Sequence, residues 1–336
     1  MKKVQALLLV LIPATLLAQK KDTLDVSDLY TPASAGFTLM DKAPSSVEKP
    51  TTTKAFEADI LNLAEGAAIQ VTPFWLKNHD NLKAEDYTRH TTPFFETLNF
   101  SVSTVKSDSN YSIGLGFRTQ LVRIFSFKGK TSLQGKLDSI QTLLGDFSAA
   151  LGRGDTAAQR SDTTRINKIY KDYRRLITRP VFVAEVAGAA LAVTPSSPFS
   201  NSTLSKLNKS GIWLNIRYSP FKLPLDFVGV CRYTIAGVKA RLSARDSAFA
   251  DYGLGVFYEN SRICLSAEYL NRYDVSRQKS YDRLAAAINY KLSSQIVVVG
   301  SFGKNYDNIE NVFTTLGVNF GLSKNTVRVA KQPIAN

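Results

Sequence analysis

The feature that most restricts this chain is an alternation. In Tyr111–Arg118, Tyr111, Ile113, Leu115 and Phe117 fall on one face of an extended strand, and Ser112, Gly114, Gly116 and Arg118 on the other. Successive strand side chains point to opposite faces, so such a segment has one apolar and one polar side. The pattern returns at residues 250–259, 261–273, 282–291 and 316–320. One segment of this kind suits half of a soluble sandwich. A long series suits a closed barrel with hydrocarbon outside, because the second face is Gly, Ser, Asn and Arg rather than large apolar residues.

The start of the chain agrees. Met1-Lys2-Lys3, the apolar stretch Leu7–Leu17 and the step Leu17-Ala18-Gln19 read as a secretion signal over residues 1–18. No later run reaches the ~18 apolar residues of a spanning helix. Val181–Val193 comes nearest and is interrupted by Glu185. A mature chain in a membrane must then be a closed barrel, because open strand edges are not satisfied in lipid. Removing the signal takes away Lys2 and Lys3, which lowers 42 basic residues to 40 against 28 acidic, a formal charge of +12. In a secreted protein this points to anionic lipid or acidic solutes, not to nucleic acid. Cys231 and Cys264 fall on separate strands, outward and inward, and read as small, buried and unpaired.

Residues 19–65 read as a polar lead-in on the periplasmic side, rich in Pro, Ser and Thr up to residue 55. Within it, Lys54–Ala64 spaces Phe56, Ile60 and Leu63 like a short helix, or like a plug over the barrel mouth. The barrel is expected over residues 66–322, with strands at 66–75, 97–105, 111–127, 181–194, 211–218, 225–244, 250–259, 261–273, 282–291, 296–304 and 311–322. That odd set needs one more strand, sought at 54–64 or in the overlong 225–244, giving about 12 with 10–14 allowed. The predicted fold class is therefore all-β: an antiparallel transmembrane β-barrel. One segment changes period. Over residues 130–179, Leu133, Leu137, Ile140, Leu144, Phe147 and then Ile169, Tyr173 and Leu176 recur at helical spacing around a turn at Gly152–Asp155. This predicts an inserted helical hairpin, an appendage independent of the barrel. A tail covers residues 323–336.

The polar faces carry the candidate chemistry. Arg118, Arg217, Arg232, Arg262, Arg283, Glu185 and Glu268 fall on the inward side and are the lumen and selectivity candidates; Arg272, Lys291, Asp226, Asp251 and Glu259 fall there too. Two readings stay open: a water-filled pore with an excess of base, which favours anions, and an ion-pair network that fills the barrel. Gly114, Gly116, Gly253, Gly255 and Gly303 on the inner face leave room for a lumen. Trp75, Tyr218, Tyr258, Tyr269, Tyr290 and Phe320 near strand ends suit interfacial girdles. His79 and His90 share a loop with Asp80, Glu85 and Asp86 at no metal-ligand spacing. No catalytic residue, metal site or cofactor is expected.

The ending Leu17-Ala18-Gln19, the alternating strands, the segment Leu316-Gly-Val-Asn-Phe-Gly-Leu322 and the lead-in pieces Pro32–Phe37, Ala43–Ser46 and Lys49-Pro50 resemble outer-membrane β-barrel proteins of Gram-negative bacteria, in the Bacteroidota style. The resemblance covers about residues 66–322 and implies a place in the outer membrane. Its implied partners are membrane lipid, the barrel assembly machinery and a small anionic solute. Many such barrels end on an aromatic residue, whereas this chain continues past Phe320 to Asn336. The expected role is a channel or scaffold. The alternatives are a barrel whose helical insertion binds a partner, and a secreted soluble β-protein that binds acidic glycans.

Overall fold

The computed structural model describes residues 23–61, 66–79, 81–89, 91–106, 111–125, 127–194, 207–220, 223–236, 247–306, 312–322 and 325–328. The signal segment, His90 and residues 329–336 lie outside them. The described strands are β1 (Thr23–Asp25), β2 (Phe56–Leu61), β3 (Gly66–Val71), β4 (Asn99–Lys106), β5 (Tyr111–Ile124), β6 (Phe182–Thr194), β7 (Leu207–Tyr218), β8 (Leu225–Ala236), β9 (Ser247–Glu259), β10 (Ile263–Asp274), β11 (Lys279–Lys291), β12 (Ile296–Lys304), β13 (Val312–Leu322) and β14 (Thr326–Arg328). The helices are α1 (Ala35–Leu39), α2 (Pro73–Leu76), α3 (Ala84–Arg89), α4 (Phe94–Thr97), α5 (Phe127–Gly152) and α6 (Thr156–Thr178).

Strands β2 to β13 form one closed antiparallel barrel, in which β13 returns to pair with β2 through Val318↔Ile60 and Phe320↔Ala58. The twelfth strand is therefore β2. Residues 56–61 form neither the short helix nor the plug considered for 54–64, because Glu57 and Asp59 alternate with Phe56, Ala58 and Ile60 at period two. The Pro73–Trp75 end of the expected first strand is instead the short helix α2, with Pro73 at its start. The β-bulge between Gln120 and Val122 shifts the phase of β5, so that Arg118 and Arg123 both point inward.

The outer face is an apolar belt. Leu115, Leu254, Leu284, Phe302 and Leu316 are more than half exposed and lie mid-strand. Tyr218, Phe227, Tyr258, Tyr290 and Phe320 ring the end nearer the termini, and Tyr233, Tyr252, Tyr269 and Tyr273 the other. Trp75 belongs to neither ring. It is fully buried under the barrel with Tyr87, Phe125, Tyr173, Leu176, Ile177 and Val327. This second apolar core corrects the reading of the helical insertion as independent: the last turns of α6 are part of the floor. Beyond that root the hairpin projects, α6 being roughly 35 Å long at 1.5 Å per residue. Asp155 caps α6 by accepting from the Ala158 N–H, and Gly154 takes φ +69° in the turn between the helices. Among the described residues no helix is long and apolar enough to cross a membrane.

Candidate functional site: a lumen filled by the N-terminal segment

The lead-in does not stay outside. Residues 26–55 enter at the end where the floor lies, climb through the barrel, turn near the far mouth and descend to β2. A twelve-strand wall encloses more space than its own side chains fill, and this segment occupies that space. The ascent passes Asp28 beside Arg217, Pro32 beside Gln70 and Ala33 beside Arg118. Helix α1 follows, opened by Ser34, whose hydroxyl accepts from the Phe37 N–H. The tip is Asp41, which holds φ +56°. The descent passes Ala43 beside Arg283, Ser45–Val47 on Glu268, Lys49 between Asp226 and Glu259, and Thr51 on Gln120. At the entry, β1 pairs with β14, tying the start of the segment to the chain's other end.

The inward glycines therefore do not leave a lumen open. Four of the five admit the plug, while Gly303 makes way for Ala285 of β11. A Cβ on Gly114 would lie 3.0 Å from the Gly36 Cα, and one on Gly116 would lie 2.6 Å from the Ala35 Cβ. Gly253 and Gly255 likewise make way for Val47.

The candidate residues divide as follows. Arg118 binds Glu48 at 3.1 Å and Glu185 at 3.6 Å. Arg217 reaches Asp28 at 3.6 Å. Arg232 and Arg272 both grip Asp251, and both also face Asp41. Glu268 accepts from the N–H groups of Ser46 and Val47, the Ser45 hydroxyl and the Arg283 Nε. Arg262 is the exception. It stands exposed in the β9–β10 turn, because β10 begins only at Ile263, and it takes no part in the lumen. Cys231 is exposed on the outer face, not buried, while Cys264 is buried inside.

The excess of base expected for the lumen comes to a single residue in the described wall. Its inward bases are Arg118, Arg123, Lys209, Arg217, Arg232, Arg272, Lys279, Arg283 and Lys291, nine against the eight inward acids Glu57, Asp59, Glu185, Asp226, Asp251, Glu259, Glu268 and Asp274. Much of the surplus charge sits instead on residues 127–179, which carry eleven bases and five acids.

Sequence reasoning missed the plug's own charges, Asp28, Asp41, Glu48 and Lys49. The available signal was that a buried inner face of arginines needs partners, and that the lead-in offers acids and bases beside its prolines. It also missed Arg123, which lies 4.0 Å over the Tyr87 ring and binds Glu96 at 2.8 Å. At the far mouth, Asp41 meets Lys209 at 3.0 Å and both terminal nitrogens of Arg272, at 2.8 and 3.1 Å, with Arg232 at 3.6 Å. Burial alone raises the Asp41 pKa, but Lys209, Arg272 and Arg232 outweigh it and hold the carboxyl well below the usual range. Deeper in, burial pushes Asp28 up to about 6 despite Lys49 and Arg217. Lys49 is held above the usual lysine range because Glu259, Asp226 and Asp28 outweigh its burial.

The wall from β11 to β13 is different. Its inner face carries Ala285, Ala287, Val297, Val299, Ser301, Gly303 and Gly317. Here a cavity of about 40 Å3 remains against the plug, lined by Asn289, Asn319 and Asp59 among others, room for roughly three waters. Asp59 accepts from the Gln70 and Asn319 amides. His79, in the segment after β3, is stacked 3.8 Å from Phe74 and bonds its carbonyl, a structural role. Among the described residues no group of three or more His, Cys, Asp or Glu gathers as a metal centre.

A closed twelve-strand antiparallel barrel with an apolar belt, two aromatic rings and a polar interior defines a transmembrane β-barrel of the outer-membrane type. Solved structures with similar barrels include the KdgM porin in complex with disordered oligogalacturonate, at 8% identity, covering 80% of this chain and 97% of that one with a TM-score of 0.39. Another is the anion-selective porin from Comamonas acidovorans, at 9% identity, 84% and 80% coverage and a TM-score of 0.30. A third is the translocator domain of autotransporter NalP from Neisseria meningitidis, at 8% identity, 85% and 93% coverage and a TM-score of 0.30. No protein-family profile and no curated protein matches the chain.

Proposed function

We propose that this protein is a Gram-negative outer-membrane channel held shut by its own N-terminal segment. The observation that carries this reading is the run of contacts from Asp28 to Thr51, in which Arg118, Arg217, Arg232, Arg272, Arg283 and Glu268 of the wall all hold the plug. The far mouth faces the cell exterior. The first and last described strands, β1 and β14, lie at the opposite end, together with the connections at 72–98 and 125–181, which leaves the far mouth as the side open to external solutes. Membrane lipid covers the belt, and the assembly machinery reads the last barrel strand through Phe320. A small anionic solute fits best where Lys209, Arg232 and Arg272 converge. The wall as a whole is nearly balanced, so any preference of the open form for anions is modest.

The test compares the full chain with a variant lacking residues 27–50, both shown to be folded by heat-modifiable migration. In planar bilayers the full chain should stay mostly closed and the deletion variant should conduct severalfold more. A folded deletion variant without conductance would reduce the barrel to a filled scaffold.

A second reading rests on the basic hairpin. Its projecting part exposes Arg153, Arg165 and Lys168, which suits docking of an acidic periplasmic partner. Replacing these three by Glu should abolish such docking while heat-modifiability is kept.

A further inference from the structure

We propose that the cluster of Lys209, Arg232 and Arg272 at the far mouth is a binding site for a small carboxylate ligand, and that Asp41 occupies it as a built-in competitor. This rests on the plugged-channel reading only for its consequence, opening; the site itself stands on its geometry. Arg272 takes Asp41 in a two-pronged grip, one guanidinium nitrogen to each carboxylate oxygen at 2.8 and 3.1 Å. That is the planar recognition for which Arg is suited and Lys is not. Lys209 adds a third contact at 3.0 Å. The Tyr306 ring backs the Arg272 guanidinium at 3.8 Å, fixing its plane.

Three features separate this cluster from the other ion pairs of the lumen. Its three cations come from three strands, β7, β8 and β10, and converge on one carboxylate. Asp251 neutralises part of their charge from behind, so withdrawal of Asp41 leaves two net positive charges facing the space it vacates. The Lys209 and Asp41 side chains keep 16% and 20% of their surface exposed, whereas the deeper Arg118–Glu48 pair keeps 1%. An external carboxylate can therefore reach this cluster before any other. Asp41 sits at a tip held at φ +56°, a conformation that costs a non-glycine residue energy. A ligand must still compete with a tethered carboxylate of high effective concentration, so dicarboxylates should act where acetate does not.

The test uses the full chain, folded in detergent, with malonate as probe and inorganic phosphate as a second oxyanion. In Asp41→Ala the competitor is gone, and calorimetry should show one saturable malonate site at least ~10-fold tighter than in the unaltered chain, since ~1.4 kcal/mol is tenfold. Adding Lys209→Ala to that variant should weaken binding again. Phosphate binding as tight as malonate would show a general anion site and overturn the carboxylate assignment. Equal malonate affinity with and without Asp41, or no saturable binding in heat-modifiable Asp41→Ala, would overturn the site. Should Asp41→Ala not fold, the unaltered chain serves: malonate should speed tryptic cleavage after Lys42, next to Asp41, and unchanged cleavage across the titration would equally sink the idea. None of these readouts depends on conductance, so they fail independently of the channel reading.

Discussion

The two walls of the barrel treat the plug differently. From β5 to β10 the inner face is charged, and nearly every charge is committed to the plug or to a neighbouring strand. From β11 to β13, apart from Lys279, Tyr281, Arg283 and Lys291 on β11 and Phe313 on β13, it is Ala, Val, Gly, Ser, Thr and Asn, and a cavity remains. The first wall holds by ion pairs that are costly to break because their members are out of water. The second holds through Arg283 on the Ala43 carbonyl and otherwise by contact. The difference teaches that the plug is fastened most heavily along β5–β10, by Arg283 of β11 and by β2, and least along β12 and β13.

The sharpest way to break the comparison is at Asp251, 1% exposed, whose carboxylate is shared by Arg232 and Arg272. Asp251→Ala leaves Asp41 as the one carboxylate shared by Arg232 and Arg272 and should cost about 3–5 kcal/mol, measured as loss of heat-modifiable protein along a urea titration. Next comes Glu268→Gln. One neutral oxygen and one NH2 replace a carboxylate that accepts from two plug N–H groups, a plug hydroxyl and Arg283. The expected loss is about 2–3 kcal/mol, with faster proteolysis of residues 43–50 while the barrel persists.

A matched pair of substitutions tests the walls against each other. Gly116→Val drives a side chain into Ala35 of the plug and should cost about 1–3 kcal/mol. Ala287→Val adds comparable volume beside the cavity and should stay within about 0.5 kcal/mol. Equal costs would mean that the plug fits both walls alike.

The smallest effect concerns pH. Asp28 faces Lys49, Arg217, Glu259 and Asp226, and its pKa is raised from 3.8 to about 6. The folded protein therefore binds this proton more tightly than the unfolded chain, so the cost of Asp28 to folding builds from about pH 4 and is complete above about pH 6. Asp28→Asn should raise the Tm at pH 7, and the gain should shrink at pH 5, where Asp28 is already largely protonated. Asp41 has the opposite sign: its depressed pKa supplies stability that is lost only as pH falls below the usual carboxylate range. A gain from Asp28→Asn that is constant across pH 5–7 would assign it to packing.

Much of the barrel was legible because its information is local. Leu115 beside Gly116 and Arg118, or Leu254 between Gly253 and Gly255, states which face meets lipid within a few residues. The same logic placed Arg118, Arg217, Arg232, Arg283, Glu185 and Glu268 inward. It failed at Arg262, where a turn interrupts the alternation, and at β2, where six residues mimic a helix as well as a strand. It also had no means to place Trp75, whose burial depends on α6 returning beneath the barrel floor.

The chain by itself determined the alternation, hence the antiparallel barrel, its apolar exterior and a polar interior crowded with arginine. Only the tertiary structure decided what those arginines bind. Arg272 and Asp41 are separated by 231 residues along the chain, Glu268 and Ser46 by 222. No local period encodes such pairs. They arise because closing twelve strands leaves a space too wide for the wall's side chains and too costly for bare charge. The segment tethered at the mouth, carrying Asp28, Asp41, Glu48 and Lys49, is what fills it.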